Sequence, residues 1–260
     1  MPATPIPKVQ LFVTCIVDSF FPSVGEAVVT VLERLGLEVE FPAAQTCCGQ
    51  PGYNAGFRPE ARRLALSFLD VFEASPAPIV APSGSCAAMV VHGYPDLFAG
   101  EPANLARARA LAARTFEFSQ FLSQVLRLDP AQVAAAAGAR LDQTVTFHPS
   151  CHLLRGLGVK DAGPSLLAAV PGARVVPLPN AEQCCGFGGL FAIKHSDISA
   201  AMLDNKLAAV RASGASTVVG CDMSCLMHMQ GGLTHDGSPQ RCRHLAEVLA
   251  PQSAERTGGA

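Results

Sequence analysis

The chain has 260 residues, 49% apolar and only 15% charged, with 10 Cys, no Trp, and 19 Lys+Arg against 21 Asp+Glu. That composition excludes a chain kept unfolded by its charge, and a net charge of -2 without a basic run argues against nucleic acid as a partner. The N-terminal residues lack the charged-then-apolar order of a signal peptide, and no uninterrupted apolar run reaches the ~18 residues of a membrane span, so a cytoplasmic location is expected.

In chain order, Lys8 to Val17 is an apolar, β-branched run of strand length, followed by Val24, Val28, Val31, Leu32 and Leu35 at helical spacing until Gly36. Leu37 to Phe41 reads as a short strand. Ala61, Leu64, Ala65, Phe68, Leu69 and Phe72 mark a second amphipathic helix, and Pro78 to Ala81 a third, buried strand. The Ala-rich stretch from Asp129 to Gln143 is the join. Beyond it, Thr144 to Phe147, Ala173 to Leu178 and Thr217 to Gly220 are strand candidates, with Leu203, Leu207 and Val210 marking a helix before the last. Alternating strands and helices predict an α/β fold of two pseudo-twofold-related repeats, residues 1–140 and 141–260, each a mostly parallel sheet flanked by helices.

The cysteines carry the repeat. Cys15, Cys47, Cys48 and Cys86 form one set and Cys151, Cys184, Cys185 and Cys225 another, each ordered Cys, gap, Cys-Cys-Gly, gap, Ser-Cys. The flanks agree: Phe41-Pro-Ala-Ala-Gln-Thr-Cys-Cys-Gly49 aligns with Leu178-Pro-Asn-Ala-Glu-Gln-Cys-Cys-Gly186, and Ile79-Val-Ala-Pro-Ser-Gly-Ser-Cys86 with Val218-Val-Gly-Cys-Asp-Met-Ser-Cys225. A closing segment recurs as well, Phe121-Leu-Ser-Gln-Val-Leu126 against His244-Leu-Ala-Glu-Val-Leu249. Cys15 lies near the end of the first strand and Cys47, Cys48 and Cys86 just after the next two, with the second set in matching places, so all can face the carboxyl edge where α/β sheets bind ligands, which predicts two separate metal sites.

Clustered thiols in a reducing compartment hold metal or do redox work more often than they form disulfides. Thiolate-only sets select zinc or iron-sulfur clusters. Structural zinc favours knuckles with two to four residues between ligands, whereas adjacent cysteines diverge and suit the separate corners of a cluster. Two iron-sulfur clusters are therefore expected, with zinc and reactive thiols as the alternatives.

At these residues the chain resembles the cysteine-rich domain family known for its Cys-Cys-Gly motif, which includes a subunit of heterodisulfide reductase. Within it, Phe41 to Gly56, Pro82 to Met89, His148-Pro-Ser-Cys-His152, Cys184 to Gly189 and Asp222 to His228 are most similar to the lactate utilisation protein A family. The resemblance covers about Val9 to Leu249. It implies the iron-sulfur subunit of NAD-independent L-lactate oxidation to pyruvate, working with companion subunits of which one carries ferredoxin-like clusters. The heterodisulfide reductase subunit has a further cysteine three positions after the last of each set; here Met89 and His228 stand there. Four cysteines per set suffice for [4Fe-4S] clusters.

Other residues are secondary. Cys221 and His228 are additional ligand candidates in the second half, and Cys242, read in a terminal helical stretch, has no counterpart. His148 and His152 flank Cys151, where an imidazole could tune a cluster or accept a proton. Lys194 and Arg155 could meet a carboxylate. Gly186-Phe-Gly-Gly189 lacks the G-x-G-x-x-G order of a dinucleotide loop, so electron relay is favoured over hydride transfer. Direct catalysis on another 2-hydroxy acid or a disulfide, and a structural zinc module, remain as alternatives.

Overall fold

Short apolar runs separated by amphipathic stretches long enough to cross back over a sheet are what parallel pairing requires. The computed structural model describes residues 6–251. The first sheet contains β1 (Lys8–Leu11), β2 (Glu38–Glu40), β3 (Ile79–Ala81) and β4 (Thr115–Glu117) in the order β2-β1-β3-β4. The second contains β5 (Thr144–His148), β6 (Arg174–Val175), β7 (Thr217–Gly220) and β8 (Arg241–His244) in the order β6-β5-β7-β8. Every pairing is parallel, and helices flank both sheets. The expected α/β repeat is thus observed. In each sheet the strand order reverses beside the first strand, the place where such sheets open a ligand crevice.

The helices follow their apolar spacing. Pro22–Arg34 starts on a proline and buries Val24, Val28, Val31 and Leu32, while Arg58–Phe72 buries Ala61, Ala65, Phe68, Leu69 and Phe72. Ser196–Ala212 buries Leu207 and Val210, but also Lys206.

Four features differ from the sequence reading. The first strand ends at Leu11 rather than running to Val17: Thr14 turns the chain at φ 72, a conformation rare for a β-branched residue, and Cys15–Phe20 is helical. Each sheet has a fourth strand, β4 or β8, too short and too polar to stand out as an apolar run. Cys242 consequently lies in a strand, paired with Val218, and not in a helix. The closing segments match with a different offset. Ala81 pairs with Glu117 and Gly220 with His244, and both Glu117 and His244 cap the following helix through a capping box, so Glu117 and not Phe121 is the counterpart of His244. The discrepancy is four residues, about one helical turn, which leaves the apolar face unchanged and so leaves the alignment ambiguous.

These closing helices are exchanged between the halves. Leu245–Leu249 packs on Pro22–Arg34 of the first half, and Phe118–Gln120 packs on Ala162–Ala168 of the second. Leu245, Val248 and Leu249 are fully buried there, each worth about 1.5–3 kcal/mol relative to exposure. Residues from both halves therefore share one hydrophobic core, while the buried residues of a second cluster around Phe12, Phe68, Phe72 and Tyr94 all come from the first half, with Leu157 of the second packed against it. Near the pseudo-twofold axis the equivalent residues Ser83 and Asp222 form an antiparallel bridge. Phe20, Phe41, Phe57, Ile193 and Ile198 are exposed apolar side chains. Among the described residues no helix is long and apolar enough to cross a membrane.

Candidate functional site

The parallel topology delivers the cysteines to the strand ends. Cys15 opens the helix after β1, Cys47 and Cys48 lie in the loop after β2, and Cys86 sits in the short helix Gly84–Ala88 after β3. Cys151 follows β5 at the start of the helical turn leading into His152–Gly156, Cys184 and Cys185 follow β6, and Cys225 lies in the first turn of Met223–His235 after β7. Four of the eight thus stand at helix starts.

Within the first set, Cys15 Sγ is 3.5 Å from Cys47 Sγ and Cys48 Sγ is 3.4 Å from Cys86 Sγ. In the second, Cys151, Cys184 and Cys185 are close enough to shift one another's ionisation, and Cys185 Sγ and Cys225 Sγ lie within 4.8 Å. All ten cysteines are free thiols. Both sets, with Thr14, Gln50, Ser85, Ser150 and His152, line one cavity between the halves. Both sets thus open onto a common space.

The Cys-Cys-Gly turn owes its shape to the glycine. Gly49 has φ +84 and Gly186 φ +93, and each donates its N–H to the first sulfur of its pair, Cys47 or Cys184, at 3.4 Å. A Cβ on Gly49 would lie 3.3 Å from the Ala61 carbonyl oxygen of Arg58–Phe72, and one on Gly186 2.6 Å from that of Ser199 in Ser196–Ala212. The glycines therefore let the turn press against a helix while aiming an N–H at a thiolate.

Ionisation is divided unequally within each set. Hydrogen bonds from Cys15 and Cys48 hold the Cys47 thiol down at about 3, and those from Cys151 and Cys185 hold Cys184 at about 2. Cys15, Cys48, Cys151 and Cys185 are pushed up by hydrogen bonding to their sulfur neighbours, reinforced by burial. One thiolate per set is what so small a space tolerates without a cation; four would repel one another unless a metal centre lay between them. A soft tetrathiolate set fits iron-sulfur or zinc, and the paired corners offered by adjacent cysteines fit a cluster.

The surroundings of the two sets differ. His148, at the end of β5, is 2% exposed, and neither ring nitrogen has a hydrogen-bond partner among the described residues. One of its ring nitrogens, Cys185 Sγ and Cys225 Sγ lie within 4.8 Å of one another. Burial, helped by the Lys206 charge, lowers His148 to about 4, so the imidazole is neutral. Lys206 is buried and donates to the carbonyls of Asn180 at 3.2 Å and Ala181 at 3.1 Å; burial lowers its pKa, while the thiols Cys185, Cys184 and Cys225 pull it back up.

His152 joins the sets. Gln50 Nε2 donates to the Ser85 carbonyl at 3.2 Å and meets His152 Nε2 at 3.1 Å. The imidazole nitrogen there must accept, which leaves the proton on Nδ1, 3.6 Å from Cys151 Sγ.

The secondary candidates lie elsewhere. Cys221 is fully buried against Glu117 and Ser119 of the first half. His228 meets Ser199 Oγ at 3.4 Å and packs on Phe187, Met89 is buried in the first-half aromatic cluster, and burial raises Cys242 to about 12. Arg155 donates to the Glu182 carbonyl and Lys194 lies over the Phe57 ring. Sequence reasoning passed over Gln50 and Lys206. Lys206 had a signal, a lone charge beside Leu203, Leu207 and Val210 on an otherwise apolar helix face; Gln50 had none.

Duplicated parallel sheets with four thiols at the edge of each define a double cysteine-rich domain. The cysteine-rich domain family model matches residues 9–91 and 145–230, one copy in each half. Lactate utilization protein A of Geobacillus kaustophilus is 48% identical over 93% of this chain and 98% of that protein. Those of Exiguobacterium sp. and Bacillus cytotoxicus are each 46% identical, covering 94% and 95% of this chain and 97% and 100% of theirs. The chain belongs to the lactate utilization protein A family. A hypothetical protein from Helicobacter pylori shares the fold, with a TM-score of 0.62 at 10% identity over 97% of this chain, which spans 50% of that one.

Proposed function

We propose that the chain is the iron-sulfur electron-transfer subunit of a system that oxidises L-lactate to pyruvate, with Cys15, Cys47, Cys48 and Cys86 holding one cluster and Cys151, Cys184, Cys185 and Cys225 the other. The observation that carries this reading is the pair of matching four-thiol sets opening onto one cavity in a chain whose relatives are named for lactate utilization. Such clusters take up and release single electrons. The protein's own part is to gather the thiols, supply N–H groups from Gly49 and Gly186 to the sulfurs, and bury Cys48, Cys86, Cys185 and Cys225 while the other four stay partly exposed. Two [4Fe-4S] clusters, a cytoplasmic setting and companion subunits, one with ferredoxin-like clusters, complete the proposal.

The decisive measurement is iron, zinc and acid-labile sulfide per chain in anaerobically purified protein, with electron paramagnetic resonance before and after dithionite. Iron and sulfide for two clusters support the reading; stoichiometric zinc without sulfide overturns it. The shared cavity favours a second reading, in which a small hydroxy acid or disulfide reacts between the sets. Reduction of the centres by lactate in the isolated chain would select that one.

A further inference from the structure

The two halves can be superposed residue by residue through their cysteines. Cys15 and Cys151 make Phe12 the counterpart of His148. The close approaches of Gly49 to Ala61 and Leu64, and of Gly186 to Ser199 and Met202, make Phe68 the counterpart of Lys206. In the first half Phe12 and Phe68 meet edge to face with ring centroids 5.0 Å apart. In the second, the same two places hold the buried side chains of His148 and Lys206. Two aromatic rings have been exchanged for two hydrogen-bond donors, both buried and both beside the thiols.

His148 makes no hydrogen bond to the described protein, although a buried imidazole almost always finds a partner. Its neighbours in reach are Cys185 and Cys225. The set already supplies four thiolates, enough to complete a cluster, so the ring is a fifth group. An imidazole carries at least one N–H. Hydrogen bonds to sulfur and nearby positive charge withdraw electron density from a centre and make it easier to reduce.

Resting on the cluster reading above, we propose that His148 donates an N–H hydrogen bond to a sulfur of the second centre and, with Lys206 behind it, makes that centre the higher in potential of the two. Hydrocarbon rings occupy both places in the first half, so an electron shared between the centres rests on the second. His148 is a positioning and tuning residue, not a ligand.

The test is a redox titration followed by electron paramagnetic resonance on the anaerobic holoprotein, with iron and sulfide measured in the same samples. Cys185→Ser assigns the second centre's signal. In His148→Phe and His148→Leu its midpoint is expected to fall while iron, sulfide and the first centre's midpoint stay unchanged; His148→Gln, which keeps an N–H, falls less. An unmoved midpoint in fully loaded Phe and Leu variants overturns the proposal, as does wild-type protein whose second centre is the lower in potential. Loss of the second centre's iron in all three variants also overturns it, because His148 would then be a ligand. Wild-type protein lacking iron and sulfide overturns the cluster reading itself, and this proposal with it.

Discussion

Around the first cysteine set, Phe12, Phe68, Phe72 and Tyr94 touch edge to face or stacked, and Tyr94 donates its hydroxyl to the Cys48 carbonyl at 3.0 Å. Around the second, His148, His152 and Lys206 take positions that in the first half belong to Phe12, Ile16 and Phe68. The sheets, their strand order and their thiols are the same. A duplicated scaffold can thus keep its ligands and diverge in what lies just behind them, which is where potential and proton affinity are set.

The strongest way to break the comparison is to remove one centre at a time. Cys48→Ser and Cys185→Ser should each cost half the iron and sulfide of the wild-type chain, and the double variant all of it, by metal and sulfide analysis. Loss of all iron in either single variant would show that the halves do not load independently.

The next difference lies in the exchanged closing helices. Glu117 and His244 are equivalent buried caps, but burial raises Glu117 to about 7 and lowers His244. With a folded pKa above its unfolded value of 4.5, Glu117 binds its proton longer in the folded state, so its contribution is complete below pH ~4.5 and is lost as pH climbs to about 7. His244 runs the other way, costing stability as pH falls below 6.5. Denaturant titrations of wild type and Glu117→Gln between pH 4.5 and 8 should therefore diverge by roughly 3 kcal/mol. Parallel pH profiles would place Glu117's proton elsewhere.

The glycine turns sharpen the comparison at smaller cost. Gly49→Ala should lose about 1–2 kcal/mol from its left-handed backbone alone. Gly186→Ala should lose more, because its Cβ would meet the Ser199 oxygen at 2.6 Å against 3.3 Å for Gly49 and Ala61. Unfolding midpoints of the two variants rank them. The smallest effect belongs to the sheet edges, where Lys8 bridges Glu38 and Glu40 across β1 and β2 while Arg174 donates to the Thr144 hydroxyl across β5 and β6. Lys8→Met should weaken the first sheet slightly at low salt and leave no difference at high salt, since the pair is exposed.

Much of the site was readable because metal ligands are short-range chemistry. The residue type, the adjacency of Cys47 with Cys48 and of Cys184 with Cys185, and the following glycine are properties of a few consecutive residues. The longer apolar runs placed three strands per half for the same reason. Thr115–Glu117 and Arg241–His244 escaped because a strand of three or four residues with charged members acquires its identity from its neighbour's backbone, not from its own side chains. The run through Cys15 to Val17 misled because β-branched residues favour strands, and only Thr14's positive φ diverts them into a helix.

By itself the sequence determined the duplication, the α/β alternation, the eight thiols and their assignment to two sets, since each is written in periodicity or spacing along the chain. The tertiary structure alone decided that the two sets open onto one cavity and that the closing helices cross between halves into a common core. Those facts depend on contacts between residues more than a hundred positions apart, such as Ser83 with Asp222, and burial of apolar surface, which drives such contacts, has no direction along the chain to read.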